Sequence, residues 1–86
     1  MPELSRFLGI VIAMYFDDHQ PPHFHAMYGE YDVAIAISDG SVIAGGFPKR
    51  ALSHVREWRA LHVAELAEDW DLSRKRETPK KIAPLE

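Results

Sequence analysis

Pro48 separates two parts of this chain that differ in hydrophobic periodicity, and this change constrains the fold more than any other feature. Before it, every second residue from Tyr31 to Ile37 is large and apolar, a period of two that is typical of a half-buried strand. After it, large apolar residues recur every three positions from Leu52 to Leu61, which predicts a helix. Proline is also favoured in the first turn of a helix. The chain is therefore predicted to place strands before residue 48 and helices after it.

Three further segments before Pro48 are predicted to be extended. The run Phe7–Phe16 is apolar on both alternating faces, which predicts a central strand buried on both sides or covered on one side by a partner. Gln20–Pro22 is predicted to be a stiff connector, because a residue before proline favours extended geometry, and His23–Tyr28 follows it as a second strand. Asp39-Gly40 is a hairpin signal, and Ser41–Phe47 is predicted to be the returning strand.

The predicted fold is α+β: a small antiparallel sheet of three to four strands, followed by a C-terminal helix or two helices packed on one face. The step from Leu61 to Leu66 is too long for one stripe, so we expect a bend near His62 or two successive helices. The helical layer should cover the face that carries Tyr31, Val33, Ile35 and Ile37. The second face of Phe7–Phe16 is then left for self-association or for a protein partner.

A single domain, residues 1–75, and a C-terminal tail, residues 76–86, are expected from the length and from the prolines near the end. Ile82 and Leu85 are predicted to anchor the tail, on this domain or on a neighbour. Together with Trp70 they are the candidate interface residues.

Composition excludes several classes of function. The chain has no cysteine, so disulfides, thiolate metal sites and cysteine nucleophiles are excluded. Phe7–Phe16 is about half the length of a membrane span, and a soluble cytoplasmic protein without membrane contact is expected. The net charge of −3 weighs against indiscriminate nucleic-acid binding. No helix-turn-helix with a basic face is present, so DNA is the least supported partner.

The loop from Asp17 to His25 contains three of the five histidines and two carboxylates around a diproline. On a strand, His23 and His25 point to the same face, where two imidazoles could chelate a divalent metal such as zinc. Glu30 is the predicted third metal ligand, with Asp17, Asp18 and His19 as alternatives. An extended connector would hold His19 about 12–13 Å from His23. A tight turn, for example with a cis proline, would be needed to bring it back.

The same loop is consistent with two other interpretations. His23 and His25, with Asp18 and His19, could provide general acid–base catalysis of phosphodiester cleavage, as in a small ribonuclease. Arg6, Lys49 or Arg50 could then stabilise the charge of the transition state. Alternatively, the histidines could be structural and bonded to backbone carbonyls, while the prolines stiffen a turn.

The chain resembles a small bacterial family known as domain of unknown function 4160. The segments that carry the resemblance are Pro2, Ser5-Arg6-Phe7, Gly9–Ile12, Met14-Tyr15, Asp18-His19, Pro21–Ala26, Tyr28–Glu30, Arg50–Leu52, Glu57-Trp58, Leu61-His62, Glu65-Leu66, Trp70, Lys81-Ile82 and Pro84-Leu85. The resemblance implies no particular reaction. Members of the family are commonly encoded beside another very small protein, which implies a toxin–antitoxin-like or regulatory pair.

The sequence thus supports three functional hypotheses. The first is one component of a bacterial two-protein complex that acts through protein–protein binding, with the adjacent small protein or a second copy as partner. The second is a histidine-dependent, metal-assisted or metal-free, ribonuclease or phosphodiesterase, with RNA as the partner. The third is a regulator that senses a metal or small ligand through the histidine loop.

Overall fold

The computed structural model describes residues 2–86 and contains five strands followed by two helices. The elements are β1 (Glu3–Phe7), β2 (Ile10–Ala13), β3 (His23–Tyr28), β4 (Tyr31–Ala36), β5 (Val42–Gly46), α1 (Lys49–Leu61) and α2 (Val63–Arg74). Each strand pairs antiparallel with the next one along the chain, so the sheet order is β1-β2-β3-β4-β5. The predicted α+β fold is confirmed, with one strand more than the predicted upper number.

The extra strand comes from the apolar run Phe7–Phe16, which is not a single strand. Phe7 ends β1, Leu8 and Gly9 form a tight turn, and β2 begins at Ile10, directly opposite Phe7. Leu8 and Gly9 have φ angles of 51° and 78°, and a two-residue turn with two positive φ angles matches the right-handed twist of the strands. Glycine is favoured at the second position, because its φ is positive and a Cβ there would lie 3.2 Å from the Tyr28 ring. The prediction of one strand buried on both faces is therefore wrong.

The strand that carries the histidines lies in the middle of the sheet. At the turn after β3, Tyr28 lies opposite Tyr31, and this register places His25 opposite Ala34 on β4. On its other side His25 lies opposite Ala13 of β2. The His25 ring therefore has alanine as its cross-strand neighbour on both sides, and no bulky side chain occupies those two positions.

Helix α1 covers the face of the sheet opposite to His25. Trp58 of α1 packs on Phe7 and Phe24, with ring centroids 5.6 and 5.8 Å apart. Val33 and Ile35 are buried on the same side, as predicted from their alternation. Burial of such side chains stabilises a fold by about 1.5–3 kcal/mol each.

The helical region is divided at His62, as the five-residue step predicted. His62 has φ −131° and ψ 26°, so it ends α1 and precedes α2. In the described part of the chain, neither helix has both the length and the apolar character needed to cross a bilayer.

The C-terminal tail packs on its own domain. The Ile82 N–H donates to the Leu4 carbonyl at 2.8 Å, and the Trp58 indole N–H donates to the Ala83 carbonyl at 2.8 Å. The Ile82 side chain is buried, and Leu85 packs against the core. The tail thereby covers the outer edge of β1.

Candidate metal centre

The loop between β2 and β3 turns back on itself before β3 begins. The Gln20–Pro21 peptide bond is cis, and the Ile37 N–H donates to the Pro22 carbonyl at 3.0 Å. Because side chains alternate along a strand, His23 and His25 then point to the same face of β3. Their ring centroids lie 5.1 Å apart, as the H-x-H spacing predicted.

Asp18 joins the two histidines. Its Oδ2 atom lies 2.9 Å from His23 Nε2 and 3.2 Å from His25 Nε2. The donor atoms of the three residues all lie within 4.8 Å of one another. His23 is almost fully buried, while Asp18 and His25 are each slightly exposed to solvent. The cluster is therefore buried on one side and accessible on the other.

The orientation of the His23 ring is fixed by the backbone. A carbonyl oxygen can only accept, so the 2.7 Å contact with Pro21 places a proton on His23 Nδ1. Nε2 then faces the Asp18 carboxylate, and two acceptors at 2.9 Å would repel each other unless a proton or a metal cation lies between them. Metal-binding histidines typically donate their second ring N–H to a carbonyl or a carboxylate in this way.

Opposing effects act on the pKa of Asp18. Burial alone would raise it. The hydrogen bond from the His19 backbone N–H, together with the contacts from His25 and His23, outweighs burial and holds the pKa of Asp18 below its ordinary value. The Asp18 side chain is therefore ionised. A carboxylate is the form that can bind a metal or accept hydrogen bonds from two imidazole N–H groups.

His19 returns to the cluster, as expected only for a tight turn with a cis proline. Its ring stacks on His23 with centroids 5.0 Å apart, although 74% of its side chain is exposed. The Nδ1–H donates to the Gln20 carbonyl at 3.0 Å, which leaves Nε2 free, 3.7 Å from Asp18 Oδ1. His19 therefore lies at the entrance of the cluster rather than inside it.

Several neighbours of the cluster were not identified from the sequence. Tyr15 meets His25 edge-on with ring centroids 4.4 Å apart, and Trp70 packs on His23 at 5.3 Å. Asp32 places Oδ1 3.9 Å from His25 Nδ1. The Gly29-Glu30 turn in the sequence could have identified Asp32. That turn sets the register between β3 and β4, in which Asp32 is diagonal to His25 on the same face of the sheet.

Glu30 does not join the two histidines. It lies in the turn between β3 and β4, five residues beyond His25. Asp18, one of the predicted alternatives, is instead the third residue of the cluster. The resulting group combines residues from a loop and a strand.

The cation that pairs with the loop, Arg76, was not among those predicted. Arg6 is bound by Glu3 on β1 at 2.8 Å. Arg76, which follows α2, pairs instead with Asp17, the neighbour of Asp18. The Asp17 N–H also donates to the Ser73 carbonyl, so the end of α2 is attached to the loop.

The three candidate interface residues differ in accessibility. Trp70 and Ile82 are buried in the core of their own domain. Leu85 is only partly buried and lines a groove of about 480 Å³ beside the exposed Leu61.

The cluster has the chemistry of a metal centre. Two imidazole nitrogens and one carboxylate form a donor set used by catalytic zinc and by non-haem iron. Ligands about 2.0–2.1 Å from a tetrahedral zinc lie roughly 3.3 Å from each other. The observed separations of 2.9 and 3.2 Å are close to that value. Three protein ligands would leave a coordination position for water or substrate.

The fold and the cluster together define a small antiparallel α+β domain with a histidine–carboxylate group beside its central strand. Residues 9–71 match the family described as "Domain of unknown function (DUF4160)", and the chain belongs to that family. The matched range includes Asp18, His23 and His25. Comparison with curated proteins and with solved structures gave no match.

Proposed function

We propose that this protein binds one divalent transition metal through Asp18, His23 and His25 and hydrolyses phosphodiester bonds, with RNA as the first substrate to test. The observation that carries the proposal is the convergence of three donor atoms within 4.8 Å around the Asp18 carboxylate. The carbonyl that orients His23 supports it further, because the ring presents Nε2 to the cluster without rearrangement.

Each residue has a defined task in this proposal. His23 would hold the metal from the buried side, and Asp18 and His25, which are both slightly exposed, would hold it from the accessible side. A bound zinc supplies a water of lowered pKa and an electrophile for the phosphoryl oxygen. The free Nε2 of His19, at the entrance, is placed to accept a proton from the attacking group.

The surroundings of the loop suit an anionic substrate. Arg74 ends α2 and is followed by Lys75 and Arg76; all three are exposed, and Arg76 pairs with Asp17 of the loop. Cationic side chains beside a site raise the local concentration of a polyanion and lower the barrier to its approach. These cations support an anionic substrate although the net charge of the chain is −3.

The test is cleavage of a fluorogenic single-stranded RNA by the purified protein, after removal of metal and after addition of zinc or manganese. We expect activity only with metal, and loss of activity in His25→Ala, which removes an accessible ligand. His54→Ala on α1 is the matched control and should retain activity. Metal-independent cleavage that needs His23 and His25 would favour the metal-free acid–base mechanism instead. Stoichiometric metal without turnover on RNA would contradict hydrolysis and favour a metal-sensing regulator.

A second role is supported by a different surface. Leu61 is 66% exposed and lines, with Pro84 and Leu85, the groove at the junction of the two helices. Large exposed apolar side chains in a groove are typical of a site for a partner segment. We therefore propose, as the second candidate, that the domain forms a cytoplasmic, toxin–antitoxin-like or regulatory complex with a small protein encoded beside it in bacteria.

Co-expression with the adjacent small protein tests this role. The pair should co-purify, and Leu61→Asp should abolish co-purification. Leu8→Asp changes an equally exposed leucine in the β1–β2 turn and should have no effect. Co-purification that survives Leu61→Asp would contradict the groove as the binding site.

A further inference from the structure

The two histidines of the cluster are held in place by different means. His23 is almost fully buried, Trp70 packs on its ring, and its Nδ1–H donates to the Pro21 carbonyl. His25 is more exposed, has alanine as its cross-strand neighbour on both sides, and meets Tyr15 edge-on. Packing therefore limits the tilt of the His25 ring, but its polar neighbours decide which of its two nitrogens carries the proton.

Two carboxylates face the two nitrogens of the His25 ring. Asp18 Oδ2 lies 3.2 Å from Nε2, and Asp32 Oδ1 lies 3.9 Å from Nδ1. Asp32 projects from β4 at the position diagonal to His25, and 59% of its side chain is exposed. The separation of 3.9 Å is longer than a hydrogen bond, and the exposed Asp32 side chain is free to rotate and shorten it.

The position of the His25 proton matters for metal binding. A neutral imidazole has a proton on one nitrogen, and the lone pair of the other nitrogen binds the metal. If Asp18 were the only carboxylate beside His25, the proton would favour Nε2, the nitrogen that must face the metal. A carboxylate at Nδ1 favours the opposite tautomer, in which Nδ1 carries the proton and Nε2 presents its lone pair.

We propose that Asp32 is a positioning residue that favours the Nδ1–H tautomer of His25 and thereby presents His25 Nε2 to the metal. This role rests on the metal centre proposed above, and it corresponds to the role of the Pro21 carbonyl at His23. Asp32 is not itself a ligand in this arrangement, because it faces Nδ1, whereas Asp18 faces Nε2 on the other edge of the ring.

The first measurement is zinc affinity, determined by competition with a chromophoric chelator for the natural chain and for Asp32→Asn. Loss of the outer partner of a metal-binding histidine typically weakens metal binding roughly 10–100-fold. We expect a loss of about tenfold, at the lower end of that range, because Asp32 is exposed. Glu30→Gln is the matched control: it removes an exposed negative charge from the turn between the same two strands, and it should change the affinity less than about threefold. Circular dichroism should show the same fold for all three proteins.

The second measurement identifies the tautomer in metal-free protein. The chemical shifts of the His25 ring nitrogens, recorded by NMR with a chelator present and in mildly alkaline buffer that keeps imidazole neutral, distinguish Nδ1–H from Nε2–H. We expect Nδ1–H to be populated in the natural chain and to be lost in Asp32→Asn, in which the proton moves to Nε2. His23 should keep its Nδ1–H in both proteins and is the internal reference. A purely structural role of Asp32 would leave the His25 shifts unchanged.

Two results would each overturn the proposal. One is that Asp32→Asn binds zinc as tightly as Glu30→Gln does. The other is that the His25 nitrogen shifts are the same in the natural chain and in Asp32→Asn. A natural chain that binds no zinc would contradict the proposed metal centre, and the tautomer measurement would then decide the role of Asp32 alone, because it is made without metal.

Discussion

Replacing Asp18 with asparagine tests how strongly this carboxylate holds the histidine cluster together in metal-free protein. The substitution keeps the shape and one carbonyl oxygen but removes the negative charge that faces two imidazoles, at 2.9 Å for His23 and 3.2 Å for His25. Hydrogen bonds to charged groups contribute about 1.5–3 kcal/mol each to stability. The bond to buried His23 should lie near the upper part of that range, and the longer, partly solvated bond to His25 near or below its lower end.

Because asparagine can still accept one hydrogen bond, we expect Asp18→Asn to lower the free energy of unfolding by about 1–2 kcal/mol, and Asp18→Ala by about 2–4 kcal/mol. For a domain of this size, 1 kcal/mol corresponds to a shift in Tm of roughly 4–8 °C.

The assay is thermal and urea unfolding at pH 7 with a chelator present. Asp17→Asn is the matched control: among residues 2–86 its carboxylate makes only the exposed pair with Arg76, and asparagine tolerates the same positive φ. That variant should change stability by less than about 0.5–1 kcal/mol. If Asp18→Ala were as stable as the Asp17→Asn control, Asp18 could not be the residue that holds the cluster.

Three further predictions concern the frame around the site. Ending the chain after Pro79 removes buried Ile82 and leaves the Trp58 indole N–H without its partner, so urea unfolding should show a loss of about 3–5 kcal/mol, and a loss below 1 kcal/mol would refute the packing of the tail. Gly45→Ala places a Cβ 2.2 Å from the Asp32 carbonyl at φ 78° and should cost about 2–4 kcal/mol, whereas Gly46→Ala meets no atom within 4 Å and is the control. Burial raises the pKa of Asp69, so the stability present below the unfolded pKa of about 3.9 is lost as pH rises through the higher pKa of the folded state. Asp69→Asn, which keeps the acceptor for the Lys80 N–H, should therefore be more stable than the natural chain at pH 7 but not at pH 3, and equal stability at pH 7 would contradict this.

Residue periodicity predicted the strands and helices, except for the turn at Leu8-Gly9. Leucine rarely takes a positive φ, so Leu8-Gly9 did not mark a hairpin within an apolar run. The break at His62 was predictable, because an apolar stripe on one helix cannot skip five residues. The attachment of Ile82 to Leu4 required the tertiary fold to place the tail beside β1.

The candidate site was predictable in part. The alternation of side chains along a strand placed His23 and His25 together, but it said nothing about the third ligand. Asp18 reaches them because the loop folds back onto β3, a path that spacing along the chain does not define. The contribution of Arg76 depends on how α2 docks against the loop, which no local pattern encodes.

Metal stoichiometry is the most direct test of the proposed function. The measurement is native mass spectrometry after dialysis against trace zinc, nickel and manganese, with elemental analysis of the same sample. The account predicts one metal ion per chain, lost in His23→Ala and Asp18→Ala and retained in His54→Ala. A metal-free protein under these conditions, or a metal that all three variants retain, would contradict the assignment of Asp18, His23 and His25 as a metal centre.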